Sequence, residues 1–262
     1  MRRSAASGWI GPAFIGVGVA LAAALGWTAP ARAQTAAVDP VARGRVVYEQ
    51  ACQTCHQADG AGQVQAGIPS LHGVGAAAVD FYVGTGRMPE ADLSPQAPRK
   101  PVSIGSDDRA ALVAYITTTW PGGPNIPEPF AAADVTRGGE LYRTNCSACH
   151  SATGAGAALA HGAYAPSLSQ ATTVQVLEAA RVGPGNMPVF DDSALSSQEL
   201  SGIAAYVQYL RHPNDRGGAN LGHTGPIAEG FVGLLVGVGA LVGVAGWVGH
   251  RNDDEPVELR HD

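Results

Sequence analysis

GRVVYEQACQTCH, residues 44–56, returns later in the chain as GGELYRTNCSACH, residues 138–150, with glycine, tyrosine, two cysteines and histidine at the same spacings. Further segments repeat in the same order: VGTGRMP, residues 83–89, corresponds to VGPGNMP, residues 182–188. Each copy then ends in a helical apolar pattern, which starts near Ser106 in the first copy and at Ser196 or Ser197 in the second. The sequence therefore predicts two copies of one small helical domain.

Composition narrows the class of protein. The 262 residues are 45% hydrophobic and 15% charged, which is typical of a folded chain with membrane segments. Aromatic residues make up only 6%, which argues against a large β core. With a net charge of -6, the chain is an improbable nucleic-acid binder. Lys100 is the only lysine, so no lysine-ringed docking face is predicted.

Each repeat carries a Cys-x-x-Cys-His motif, typical of covalent c-type haem attachment. The two thiols are one helical turn apart and can bond the two vinyl groups of one haem, while the adjacent imidazole ligates the iron. A redox Cys-x-x-Cys or half of a zinc site are the alternatives for a single motif, but a wider repeat disfavours both. We predict that Cys52, Cys55 and His56 hold one haem c, and that Cys146, Cys149 and His150 hold a second.

Two methionines are candidates for the sixth iron ligand. Besides the initiator, the chain has only Met88 and Met187, and both precede proline in the same loop pattern. A lone methionine usually fills core space, but the matched positions favour ligation. His72 and His161 do not occupy matching positions and are interpreted as ordinary loop histidines. The pairs Asp107–Asp108 and Asp191–Asp192 are interpreted as helix-capping and dipole partners.

The two ends of the chain carry membrane-targeting signals. Met1-Arg2-Arg3, an apolar run and Ala31-Arg32-Ala33 predict a signal peptide cleaved after Ala33, with a retained anchor helix as the alternative. Residues 230–249 are uncharged and would span about 30 Å as a helix, enough to cross a bilayer. Export of the repeats places the tail, in which Arg251 is the first charged residue, in the cytoplasm.

The predicted order is signal, domain, domain and anchor. Proline and glycine between the copies argue for a short, semi-rigid linker. The predicted boundaries are a signal peptide at 1–33, domains at 39–120 and 130–212, linkers at 121–129 and 213–226, a transmembrane helix at 227–249 and a cytoplasmic tail at 250–262.

Each repeat resembles a class I cytochrome c domain. The resemblance rests on the N-terminal helix, the haem motif, the Met-Pro loop and the C-terminal helix, and it covers about residues 39–212. It implies an all-α fold of two tandem class I cytochrome c domains plus one C-terminal transmembrane helix. By the same analogy, the carbonyls of Pro69 and Pro166 would accept hydrogen bonds from the rings of His56 and His150.

The order of the segments is similar to that of the dihaem cytochrome c (cytochrome cc) subunit of actinobacterial-type menaquinol or ubiquinol:cytochrome c reductases, which are cytochrome bc complexes. That resemblance implies cytochrome b and Rieske iron-sulfur subunits as partners, and a supercomplex with an aa-type cytochrome c oxidase. It also implies an electron-transfer subunit of a translocase in the cell membrane, with haem domains on the extracytoplasmic side and no substrate chemistry of its own.

Three other functions stay open at this point. A dihaem subunit of another oxidase or of a periplasmic dehydrogenase would share the haem motifs. A dihaem cytochrome c peroxidase would need one open iron position, which two matched Met-Pro loops disfavour. A haem-based gas sensor is disfavoured because only a short tail follows the anchor.

Overall fold

The computed structural model describes residues 39–94, 96–212 and 226–253. The predicted signal peptide at 1–33, residues 213–225 of the second linker and the tail beyond residue 253 lie outside this range. In chain order the elements are α1 (Pro40–Ala51), α2 (Gln53–His56), α3 (Ala76–Gly84), α4 (Ser106–Thr119), α5 (Val135–Asn145), α6 (Ser147–His150), β1 (Ala157–Ala158), β2 (Tyr164–Ala165), α7 (Thr173–Val182), α8 (Ser197–Arg211) and α9 (Pro226–Asp253). The described chain is mostly helical, as predicted, with one short antiparallel strand pair in the second copy.

Local sequence signals account for the helix starts. The Asp39 carboxylate accepts a hydrogen bond from the Val41 N–H at 3.0 Å, and Pro40 opens α1 where no N–H donor is needed. Ser196 caps α8 in a reciprocal capping box with Glu199. The start of α8 therefore agrees with the serine predicted from the sequence.

In both domains the first long helix crosses the last at a glycine. A Cβ atom on Gly44 of α1 would overlap the carbonyl oxygen of Ala111 in α4. In the second domain, a Cβ atom on Gly138 of α5 would likewise overlap the carbonyl oxygen of Gly202 in α8. Only glycine allows backbones to approach so closely, which explains its presence at the same position in both repeats.

Each domain has its own apolar core behind its motif helix. In domain 1 the buried cluster consists of Tyr48, Val79, Val83, Leu112 and Ile116. In domain 2 it consists of Tyr142, Leu177, Ala180, Leu195, Leu200, Ile203, Ala204 and Val207. The core of each repeat therefore lies between its first helix, its middle helix and its last helix.

The two domains pack against each other through α3 and α7. A loop contact supports this packing: the Gln96 amide donates to the Tyr164 carbonyl and accepts from the Tyr164 N–H at 3.2 Å. The linker contacts domain 1, since the Ala77 N–H donates to Pro124 O at 3.0 Å. Directly after the linker, the Phe130 N–H donates to the Ser201 hydroxyl within domain 2 at 3.1 Å. The segment 121–129 is thus an ordered connection.

The helix α9 contains an apolar span from Ile227 to His250, 24 residues with a mean hydropathy of 2.2. Its apolar side chains, such as Leu234 and Leu241, are exposed. This is the one helix within the described residues that is long and apolar enough to cross a membrane. It agrees with the transmembrane helix predicted from the sequence.

Candidate haem-binding site

The predicted iron ligands His56 and His150 lie at the ends of the one-turn helices α2 and α6. Nδ1 of His56 is 3.0 Å from the carbonyl oxygen of Pro69, and Nδ1 of His150 is 2.9 Å from that of Pro166. A carbonyl can only accept, so Nδ1 carries the hydrogen and the lone pair of Nε2 is free for a metal. Burial lowers the pKa of His150, which favours the neutral ring that metals bind. Both contacts implied by the family resemblance are present.

None of the four cysteines forms a disulfide within the described residues. Burial raises the pKa of Cys52 to about 11, with a smaller contribution from Cys55. Burial likewise raises the pKa of Cys146 to about 11, with a smaller contribution from Cys149. Before haem is attached, the Cys52 and Cys146 thiols are therefore neutral at physiological pH. Both cysteines of each pair line the cavity described below.

A buried tyrosine supports the turn after each motif. Gln57 and Ser151, the residues after the two histidines, have left-handed backbones with φ of 65° and 64°. The hydroxyl of Tyr48 donates to the carbonyl of Gln57, and that of Tyr142 donates to the carbonyl of Ser151 at 2.8 Å. These bonds hold the chain in its reversal beneath the motif, so the repeated tyrosines do more than pack.

The two methionines lie on loops that follow α3 and α7. The Met88 N–H donates to Tyr82 O at 3.0 Å, and the Met187 N–H donates to Pro184 O at 3.2 Å. Each side chain packs against the core of its own domain and lines the same cavity as the histidines. The folded chain therefore brings all eight predicted ligand and attachment residues to one space.

That space is a single cavity of about 1000 Å³ that extends through both domains. It lies at the upper end of the usual range for small-molecule sites, roughly 300–1,000 Å³. Its walls are largely aliphatic, with Leu112, Ile116, Leu200 and Ile203 among them. An apolar cavity with two thiol pairs, two neutral donor nitrogens and two thioethers fits two covalently attached haems. No cluster of three His, Cys, Asp or Glu side chains suited to a metal ion occurs among the residues described, so a zinc site is not supported there.

Two secondary predictions are refined. His72 is a loop residue whose Nε2 lies 2.7 Å from Asp59 O and whose ring stacks on Trp120. The residue that caps α4 is Gly105, so the capping role predicted for Asp107 and Asp108 is wrong. These two acids lie in the first turn, where the helix dipole favours negative charge, and Asp108 pairs with Arg43 at 2.7 Å.

Sequence reasoning missed a charged cluster at the contact between the domains. Glu178 of α7 is fully buried, and neither carboxylate oxygen has a donor within the described part of the chain. Its carboxyl is within hydrogen-bonding reach of Asp80 in α3, which accepts from Arg109 Nε at 2.8 Å. Two carboxylates can bond only through a proton, and burial followed by the charge of Asp80 raises the pKa of Glu178 to about 8. The signal in the sequence was a lone acid within an apolar helix stripe.

Comparisons with known proteins agree with this geometry. Residues 41–120 match the family model for cytochrome c, and residues 133–207 match that for cytochrome c oxidase, cbb3-type, subunit III. Each repeat is therefore a cytochrome c domain, and the chain carries two covalently bound haem c groups.

Several curated relatives match about four fifths of the chain. The cytochrome bc1 complex cytochrome c subunit of Corynebacterium diphtheriae is 38% identical over 81% of this chain and 81% of its own. The protein of the same name from Mycobacterium bovis is 40% identical over 80% of this chain and 77% of its own. That from Mycobacterium leprae is 38% identical over 79% of this chain and 74% of its own. With two cytochrome c domains, one apolar C-terminal helix and this level of identity, the chain belongs to the family of cytochrome c subunits of the cytochrome bc1 complex.

Proposed function

We propose that this chain is the electron-relay subunit of a respiratory quinol:cytochrome c reductase. In this proposal it accepts electrons one at a time from a Rieske iron-sulfur subunit that is assembled with cytochrome b. It then passes them to an aa-type cytochrome c oxidase held in the same supercomplex. The whole complex is the enzyme, a translocase, and this chain alone transforms no substrate. The similarity to cytochrome c subunits of the cytochrome bc1 complex supports this place in a bc1 complex.

The observation that carries the proposal is the shared cavity. Motif residues of domain 1, such as Cys52 and His56, line the same space as Cys146 and His150 of domain 2. A relay needs its two centres close together, because electron transfer slows steeply with distance. Separate cavities on opposite sides of the chain would not meet this need.

The residues of the chain have distinct roles in the proposal. Cys52 and Cys55 attach one haem and Cys146 and Cys149 the other, while His56 with Met88 and His150 with Met187 ligate the two irons. A haem iron supplies a carrier that cycles between ferrous and ferric states. The Pro69 and Pro166 carbonyls fix the two imidazole rings at 3.0 and 2.9 Å, so these ligands need not reorient when the charge changes. The aliphatic walls exclude water, which keeps the rearrangement per electron small.

The remaining parts of the proposal concern topology. We assign domain 1 to residues 39–120, domain 2 to 130–212 and the anchor to 227–249, close to the observed α9. The haem domains lie on the extracytoplasmic side of the cell membrane, because the chain has a predicted export signal before them. A transmembrane helix of suitable length between Ile227 and His250 supports a single crossing.

A tag on the C-terminal tail provides the test. The complex is purified in mild detergent, and absorption spectra of the product are recorded. We expect b-type haem and a Rieske signal to co-purify with c-type haem, together with a-type haem if the oxidase is bound. A product with c-type haem alone would refute the reductase assignment. Turnover of hydrogen peroxide by the purified chain would instead indicate a peroxidase.

A further inference from the structure

The loop that carries Met88 also carries Arg87, a charged side chain with an unsatisfied hydrogen-bond donor. Arg87 is partly buried, and its guanidinium carbon lies 4.8 Å from the centroid of the Phe81 ring. Its Nη1 atom is shielded from solvent and has no hydrogen-bond acceptor among the described residues. A buried cationic N–H without an acceptor destabilises the folded chain. Arg87 lines the shared haem cavity, so an acceptor could reach it from there.

A second arginine lines the same cavity. Arg99 lies on the segment that follows the Met88 loop, and its Nη2 donates to Gln175 Oε1 of domain 2 at 3.1 Å. Burial lowers the pKa of Arg87, and repulsion from the charge of Arg99 lowers it further. Glu90 lies on the same wall, but no ion pair joins a carboxylate of the described residues to either arginine. Two neighbouring cations without a counterion indicate a site for an anion.

The cavity itself suggests the chemistry of that anion. A haem carries two propionate carboxylates, and a planar guanidinium binds a carboxylate through two parallel hydrogen bonds. Domain 2 has Asn186 at the position that corresponds to Arg87, so the repeat does not provide the same pair twice. The anion site therefore distinguishes one haem position from the other, although the attachment and ligand residues are the same in both.

We propose that Arg87 and Arg99 together bind a haem propionate at the seam between the two domains. This inference rests on the proposed function, because it requires haem in the cavity. It assigns the pair an electrostatic role: two positive charges beside one haem favour its reduced form and raise its midpoint potential relative to the other. Because Arg99 also contacts Gln175, the same pair ties the position of that propionate to the packing of domain 2.

The test is a spectroelectrochemical titration of both haems in the full-length protein in detergent. Arg87→Gln and Arg99→Gln should each lower the midpoint potential of the same haem and leave the other unchanged. The potential of that haem should also become more dependent on pH between about pH 5 and 8, because a propionate without its cations regains a higher pKa. In infrared redox difference spectra, the propionate carboxylate band should shift. Arg87→Lys keeps the charge and should restore most of the potential.

Arg45→Gln is the matched control. Arg45 is exposed on α1, pairs with Glu49 at 2.8 Å and does not line the cavity, so both potentials should stay at the wild-type values. Covalent haem content and the low-spin spectrum test the proposed function separately. If variants keep two low-spin haems but neither potential nor the carboxylate band moves, the propionate site is refuted and the relay proposal stands. If the wild-type chain lacks two low-spin haems, the relay proposal itself is refuted.

Discussion

Domain 1 and domain 2 share the same attachment motif and the same helix crossing, but different side chains surround them. Domain 1 packs aromatic rings behind its motif: Trp120 contacts Tyr48 and Tyr115 at centroid distances of 5.4 and 5.9 Å. Domain 2 has the aliphatic Leu210 beside the turn after its motif, near Gly154. The attachment motif, the crossing glycine and the tyrosine pair behind each motif are repeated, whereas the side chain that covers the turn after the motif has diverged. The comparison suggests that geometry at the motif, rather than core composition, limits how far the copies can differ.

The largest expected effect is the loss of one covalent haem from one domain at a time. Cys146→Ala with Cys149→Ala should leave a chain with one covalent haem, since both thioether bonds of domain 2 are lost. Cys52→Ala with Cys55→Ala should do the same for domain 1. Intact-protein mass spectrometry measures the number of haems per chain. Loss of both haems from either variant would show that attachment is not independent in the two domains.

A second test compares the helix crossings. Gly44→Ala should destabilise domain 1 by about 3 kcal/mol or more, because the added methyl overlaps the Ala111 carbonyl and the backbones must separate. Gly138→Ala should do the same to domain 2. Hydrogen exchange of α1 and α5 reports each domain separately. Gly105→Ala is the control, since a Cβ there meets nothing within 4 Å and the expected change is below about 1 kcal/mol. Equal exchange in all three variants would contradict the close-crossing argument.

The different packing behind the motifs predicts a smaller difference, in how much stability each domain loses on truncation to alanine. Trp120→Ala should cost domain 1 about 2–3 kcal/mol, because it removes contacts with Tyr48, Tyr115 and His72. Leu210→Ala should cost domain 2 about 1–2 kcal/mol, since a smaller, partly buried side chain is lost. Guanidinium unfolding followed by fluorescence and hydrogen exchange measures both. A larger cost for Leu210→Ala would reverse the proposed order.

A further expected effect, on the pH dependence of stability, concerns the contact between the domains. The pKa of Glu178 is about 8 in the folded chain and lies above its ordinary value of 4.5, so the folded state holds a proton that the unfolded state releases. The stabilisation is complete below about pH 4.5 and is lost as pH rises towards about 8. Glu178→Gln cannot ionise, so we expect this pH dependence to disappear and the variant to be more stable than wild type by about 3–5 kcal/mol at alkaline pH.

Denaturant unfolding over a pH series measures that dependence. Glu140→Gln serves as the control, because Glu140 is an exposed carboxylate of domain 2 that pairs with Arg137 on the surface. Its substitution should leave the slope of stability against pH as in wild type. An unchanged slope in Glu178→Gln would show that Glu178 is already ionised in the folded chain.

Most of the fold and of the haem-binding residues could be predicted from the repeated motifs. Cys-x-x-Cys-His allows few chemistries, and its duplication in a wider repeat indicated two haem domains before any fold was known. The long apolar segment likewise predicted α9, because bilayer thickness sets the length of a spanning helix. The crossings at Gly44 and Gly138 were also predictable, since a glycine repeated at one place argues for close backbone approach.

Other features depended on residues far apart in the chain. The joint cavity arises because α3 packs against α7, and no local pattern specifies which faces of two domains meet. Glu178, Asp80 and Arg109 come from three helices, and Arg87 and Arg99 look like ordinary surface charges in the sequence. Covalent attachment and iron ligation depend on neighbouring residues and can be recognised in a short motif. The sharing of one cavity by the two motifs, the burial of Glu178 between the domains and the placing of two arginines without an ion pair depend on how the folded domains dock, because burial and electrostatics follow from distances in space.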